Sequence, residues 1–165
     1  MIHITKAQAN EFNIIQYIVN ETWPVAYGRI LSKAQLDYMI ALFYSLEMLN
    51  ENVKNGHHFY FAKEDDTVLG FLGIEHNYKG NPVTRIHKIY MLPESQGKGI
   101  GKLLIDKAAQ LAEENQSEKL SLNVNRFNPA KGFYEKLGFE NVGSEDVAIG
   151  NGYLMEDYMM EKKIR

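Results

Sequence analysis

The stretch Ile89-Tyr90-Met91-Leu92-Pro93-Glu94-Ser95-Gln96-Gly97-Lys98-Gly99-Ile100-Gly101 decides how the chain is read. Its first residues are strand-like, Pro93 ends them, and Gly97, Gly99 and Gly101 follow. Ile100, Leu103, Leu104, Ala108 and Leu111 then recur at helical spacing to about Asn115. A strand therefore runs through a glycine-rich loop straight into a helix. The first amides of a helix lack intrahelical acceptors and sit at the positive end of its dipole, so this junction suits a diphosphate. Glycine lets the backbone come close to such an anion. On the glycines alone an ordinary strand-to-helix turn is an equal account, so spacing has to decide. A Walker loop needs glycine where Gln96 stands and Ser or Thr where Leu103 stands. A dinucleotide fingerprint begun at Gly97 or Gly99 needs its last glycine at Lys102 or Leu104. Both fail.

Upstream, Val83–Leu92 reads as a strand preceded by the turn Lys79-Gly80-Asn81-Pro82. His58–Lys63 and Val68–Tyr78 form a hairpin across Asp65-Asp66. Before them lie two helices. One is opened by a Thr5–Gln8 capping box, carries Phe12, Ile15, Ile18 and Val19, and is broken by Pro24 and Gly28. The other is opened by Ser32 and Gln35 and runs with Leu36, Met39, Ile40, Phe43 and Leu46 on one face to Asn55-Gly56. Met1–Thr5 is a short edge strand. Downstream, Lys119–Asn125 is a strand, Pro129–Leu137 a short helix ending at Gly138, and Val142–Ile149 and Tyr153–Lys162 close the chain as two strands. The order β-α-α-β-β-β-α-β-α-β-β is that of a mixed α/β sheet, because hairpin-linked strands precede a crossover helix.

Composition narrows the classes. A chain of 165 residues is the size of one domain, and residues 1–165 are read as one, with no repeat or linker. There is no cysteine, which excludes disulfide scaffolds and thiol nucleophiles and fits a reducing compartment. With 18 basic and 21 acidic residues the net charge is −3, against a nucleic-acid footprint. The amino-terminal MIHITKAQANEF lacks a signal-peptide core, and no run of about 18 apolar residues exists to span a membrane, so a soluble cytoplasmic protein is expected. His57-His58 are adjacent, yet no H-E-x-x-H occurs, and no metal site is expected. No G-x-S-x-G marks a serine hydrolase.

What does fit the loop is Q-x-x-G-x-G, formed by Gln96, Gly99 and Gly101. In this the chain resembles the GNAT superfamily of N-acetyltransferases, whose acetyl-CoA loop has the form [RQ]-x-x-G-x-[GA]. The segment Asn128-Pro-Ala-Lys-Gly-Phe-Tyr-Glu-Lys-Leu-Gly-Phe139 resembles that family's second signature, A-x-x-[LF]-Y-x-x-x-G-F. The likeness covers residues 83–139 in motif and the whole chain in element order. It implies a mixed, mostly antiparallel central sheet of about seven strands flanked by about four helices. It also implies acetyl-CoA as co-substrate, without a metal, and a small-molecule amine acceptor. Homodimers occur among members, although no residue here marks an interface.

The resemblance assigns roles to residues. Cofactor binding falls to Gln96, Gly97, Lys98, Gly99, Ile100, Gly101 and Lys102 around the diphosphate, and to the backbone of Ile89, Tyr90 and Met91 along the pantetheine, with an oxyanion-type role at Tyr90 and Met91. Tyr134 matches the family tyrosine that protonates the leaving thiolate. The family's asparagine position is Phe127 here; Asn128, one step later, either contacts pantetheine or caps the helix begun at Pro129. An amine with a pKa of about 10 must lose a proton before it attacks. His87 stands where many relatives have glutamate and suits that task, with Arg85 on its face and Glu75 and Glu21 as rivals. Glu21, Trp23, Tyr27, Glu75 and Tyr153, with Glu156 and Asp157 nearby, would form an aromatic and acidic acceptor wall of the kind a polyamine needs. Two alternatives remain: transfer to a peptide amino terminus or lysine, and a non-catalytic acyl-CoA-binding module.

Overall fold

The computed structural model describes residues 1–165. Its strands are β1 (Ile2–Lys6), β2 (His57–Glu64), β3 (Thr67–Glu75), β4 (Val83–Met91), β5 (Lys119–Asn125), β6 (Glu140–Gly150) and β7 (Tyr153–Lys163). Its helices are α1 (Phe12–Tyr27), α2 (Lys33–Tyr44), α3 (Leu46–Lys54), α4 (Ile100–Glu114) and α5 (Ala130–Lys136). The seven strands form one sheet in the order β1-β2-β3-β4-β5-β7-β6. Every neighbouring pair is antiparallel except β4 and β5, which α4 connects as a parallel crossover.

Alternation along the strands divides the apolar residues between two layers. Phe59, Phe61 and Phe71 pack under α1–α3 with Phe12, Ile15, Ile18, Val19 and Trp23. Leu72, Ile74, Ile86, Leu120 and Leu122 pack under α4 with Leu104, Ile105 and Ala108. The central strand β3 is covered on both faces, which is why Val68–Ile74 reads as a continuous apolar run. Where β3 crosses under Phe59, a Cβ on Gly73 would lie 2.8 Å from that ring. Only glycine fits there.

Three local expectations differ from the structure. The capping box at the first helix is Gln8 with Glu11, whose Oε1 accepts the Gln8 amide at 2.9 Å. Thr5 is committed to β1, which pairs with β2 as far as Lys6↔Tyr60. Pro24 does not break α1. A proline removes only the bond to the carbonyl one turn back, and the turn beyond it is held by the Trp23–Tyr27 contact and by Gly28 N–H donating to Pro24 O. The long second helix is two, giving five helices in all. Ser45 is extended (φ −63°, ψ 151°) and its hydroxyl accepts the Met48 amide, while Gln16 Nε2 takes the carbonyl of Tyr44 at 2.8 Å.

Candidate active site

The site begins as a failure of two strands to stay together. Pairing of β4 with β5 runs from Val83↔Lys119 to Ile86↔Leu122 and stops, although β4 continues to Met91 and β5 to Asn125. The cause lies on the other side of β4. Its register with β3 passes from Ile74↔Ile86 to Gly73↔Lys88, leaving His87 as an extra residue in a bulge that bends the strand away. Leu92 N–H donates back to Leu69 O, so alternation turns the amides of Ile89 and Met91 into the open side and that of Tyr90, expected to share the oxyanion role, toward β3 instead.

A cavity of about 840 Å³ occupies that opening. The turn after β4 closes one end of it. Gly97 (φ +85°) and Gly99 (φ +73°) are left-handed, and Gly99 leads directly into α4. The amides of Gly97, Gly99, Ile100, Gly101 and Lys102 have no acceptor within the protein. A Cβ on Gly101 would lie 2.7 Å from Met91 Cε and 2.8 Å from Phe133 Cζ, so this glycine is what seats α4 against β4 and α5. Five free amides at a helix start fit the diphosphate of coenzyme A, and the splayed edge fits its extended arm. Ile89, Tyr90, Met91, Gln96, Gly97, Gly99, Ile100, Gly101, Lys102 and Asn128 all line the cavity. Lys98 does not. Its amide donates to Ser95 O and its ammonium pairs with Glu64 at 2.8 Å.

Tyr134 projects from α5 into the same cavity, 8% exposed, with its ring edge-on to Phe133 and Phe139. Burial holds the phenol well above its ordinary range, so it remains protonated. Its hydroxyl bonds to no protein group. Asn128 caps α5, accepting the Ala130 amide at 2.9 Å through Oδ1, and it also lines the cavity. The two readings of this residue are therefore compatible.

A second recess of about 240 Å³ adjoins the first and shares Tyr27, His87, Lys88, Tyr90 and Asn123 with it. Trp23, Tyr44, Arg85, Asn125, Met155 and Asp157 complete much of its wall. Tyr27 and Tyr90 meet hydroxyl to hydroxyl at 3.1 Å. At the bulge, His87 Nε2 lies 2.9 Å from Glu75 Oε1, and His57 Nε2 lies 3.3 Å from the same oxygen. Burial first, then the cations of Lys88 and Arg85, depress His87 to about 3. Burial first and then His87 depress His57 to about 4. Both rings are neutral at pH 7, so the His87 Nε2 carries the hydrogen it gives to the carboxylate. His57, Glu75 and His87 place three donor atoms within 4.8 Å. The two imidazoles, however, are stacked 4.2 Å apart and 7° from parallel. A metal cannot lie in both ring planes at once, so these residues do not fit one as arranged.

Of the residues read as an acceptor wall, Trp23 and Tyr27 line the recess. Glu75 stands behind His87. Glu21 is exposed on α1 and borders neither cavity, because α1 keeps its helical phase through Pro24. Tyr153 packs on Tyr38 at 5.3 Å, outside the wall. Sequence reading missed Lys88, which the bulge turns to the same face as His87. Its only signal was a lysine directly after His87 in a strand whose alternation assigns it to the other face.

Residues 13–139 match the model of the acetyltransferase (GNAT) family. The chain is 29% identical over 168 residues to spermidine N(1)-acetyltransferase of Thermoplasma acidophilum, covering 98% of this chain and 97% of that one. It is 31% identical over 87 residues, 52% of this chain and 56% of the other, to a putative ribosomal-protein bS18-alanine N-acetyltransferase of Bacillus subtilis. Among solved structures, PaiA N-acetyltransferase from Thermoplasma acidophilum in complex with coenzyme A superposes with a TM-score of 0.83 at 26% identity, over 99% of both chains. A splayed β4–β5 edge, an amide-lined turn and a family match spanning both place this chain in the GNAT family of acetyltransferases.

Proposed function

We propose that this N-acetyltransferase moves an acetyl group from acetyl-CoA to the primary amine of a small molecule, by direct attack in a ternary complex. The observation that carries the reading is the recess adjoining the cavity that holds Tyr134: it is a pocket of about 240 Å³ walled by α1, α2 and β7, a volume on the scale of a small amine. The full-length likeness to a spermidine acetyltransferase supports a small acceptor. With no cysteine in the chain, no thiol is present to carry the acyl group in between.

Bound acetyl-CoA supplies an acyl thioester, whose carbonyl an amine attacks. The free amides at Gly97–Lys102 hold the diphosphate, and those of Ile89 and Met91 bind along the pantetheine. The Met91 amide donates to the carbonyl oxygen as negative charge builds on it. The Tyr134 hydroxyl gives its proton to the departing sulfur. His87 serves as the base by handing protons on instead of storing them. A neutral imidazole takes a proton at Nδ1, through water from the acceptor, and releases the one at Nε2 to Glu75.

Thiol release should be followed with acetyl-CoA and a panel of small amines, peptides and lysine-containing proteins. The reading expects turnover with at least one small amine at a kcat/KM about 10-fold or more above any peptide. Turnover restricted to peptides would overturn it. Binding of coenzyme A without turnover on any amine would establish the non-catalytic alternative.

A further inference from the structure

We propose that the acceptor is a zwitterion, a small amine that also carries a carboxylate or another acidic group, and that Lys88 and Arg85 bind its anionic end. This rests on the small-amine reading above and specifies it. The bulge at His87 places Arg85, His87 and Lys88 on one face of β4, all lining the recess. Nine ion pairs occur in the protein, and neither Lys88 nor Arg85 takes part in one. The Lys88 ammonium lies over the rings of Tyr44 (5.4 Å) and Phe59 (5.9 Å) with no hydrogen-bond acceptor. The Arg85 guanidinium stacks on Tyr78 at 5.1 Å and gives Ser121 one long bond of 3.4 Å, and its Nε is buried with nothing to donate to.

The opposite wall has the complementary lack. Asn123 directs Nδ2 at Asp157 (3.3 Å) and at Glu145 (2.7 Å), which fixes its amide orientation and leaves Oδ1 buried without a donor. Asp157 is 4% exposed and is the only carboxylate in the wall. Lys88 has no anion near it, Arg85 feels Glu145, Asp157 and Glu75 only at a distance and pairs with none of them, and one amide oxygen beside one carboxylate lacks a donor. Buried polar groups left in this state are costly, and a ligand bearing both an amine and an acid satisfies both sides at once. A polyamine satisfies only the second and brings more positive charge against Lys88 and Arg85. The acidic wall expected of a polyamine site is also missing, since Glu21 faces solvent and Glu75 Oε1 is hydrogen-bonded by His87, with His57 at 3.3 Å beside it.

The test compares matched acceptors in the thiol-release assay: glycine, β-alanine, 4-aminobutanoate and leucine, each beside its methyl ester, together with 1,4-diaminobutane and spermidine. At least one free acid should exceed its own ester and both polyamines about 10-fold or more in kcat/KM. Lys88→Met and Arg85→Gln should each shrink that acid-to-ester ratio about 10-fold, mainly through KM, and Lys88→Arg should restore most of it. Polyamines or esters outperforming every acid would overturn the proposal while leaving the small-amine reading intact, as would ratios that the variants do not move. Turnover of peptides alone would overturn both. The wild-type acceptor ratios decide the matter even if a variant fails to fold.

Discussion

His87 reaches Glu75 Oε1 at 2.9 Å through Nε2, from the bulge that opens β4 away from β5. The strand defect that makes room for the acyl donor thus also positions the proposed proton relay. Burial and the adjacent cations of Lys88 and Arg85 lower the imidazole from its ordinary 6.5 to about 3. The unfolded chain therefore binds a proton at this histidine between about pH 6.5 and 3 that the folded chain refuses, and stability falls as pH falls through that window. By pH 5 the cost is about 2 kcal/mol. In urea titrations His87→Asn should show a shallower loss of stability from pH 7 to pH 5 than wild type. Parallel curves would show that His87 charges as readily in the fold as out of it.

The same neutrality bears on catalysis. A relay that never stores a proton contributes no titration of its own near pH 6.5. Glu75→Gln removes the group that takes the Nε2 proton, so kcat should fall about 10-fold or more with KM little changed. An unaltered kcat would exclude the pair from proton transfer.

Tyr134 tests the leaving-group half of the reaction. Its hydroxyl is free of protein partners and kept protonated by burial, and Phe133 and Phe139 fix the ring from both sides. Tyr134→Phe keeps that packing and removes one proton donor. Turnover should drop between about 10²- and 10⁴-fold, the range of positioned acid–base groups, with coenzyme A affinity by calorimetry nearly unchanged. Equal losses in affinity and turnover would point to a binding role.

Gly99 tests the turn. Its φ of +73° is left-handed, and a Cβ there meets no protein atom within 4 Å, so it would project into open space at the mouth of the amide cradle. Gly99→Ala should cost about 1 kcal/mol in folding from backbone strain. Coenzyme A binding should weaken about 10-fold or more, since the diphosphate and the methyl group contend for the same place. A variant that binds normally would move the diphosphate elsewhere.

The parts of this fold that were legible in the sequence are those fixed by near neighbours. The change from strand alternation to helical spacing around Leu92–Ile100 is local, as is the loop that opens α4, and both lie where expected. What escaped depends on distant contacts. The break between α2 and α3 is held by Gln16 reaching the Tyr44 carbonyl, a partner 28 residues away. The bulge at His87 exists only through the pairing of β4 with β3, and without it strict alternation sends Lys88 to the α4 face. That register slip is why Lys88 joins the wall unforeseen, while Glu21 leaves it because α1 keeps its helical phase through Pro24.

Lys88 carries the most direct physical consequence of that slip. Burial lowers its ammonium from the ordinary 10.5 to about 8. Below pH 8 both states hold the proton, and the fold bears the full cost of an unpaired charge, at most about 3 kcal/mol. Between about pH 8 and 10.5 the unfolded chain binds more protons than the folded one, so this cost is relieved as pH rises. Lys88→Met keeps the apolar stem against Tyr44 and Phe59 and removes the charge. The variant should therefore be more stable than wild type by about 2–3 kcal/mol at pH 7, with the advantage shrinking steadily toward pH 10. Other lysines and tyrosines titrate in both proteins and cancel in the difference. Should the variant be less stable at pH 7, Lys88 has found a partner in the fold, and an anionic acceptor would no longer be needed to satisfy it.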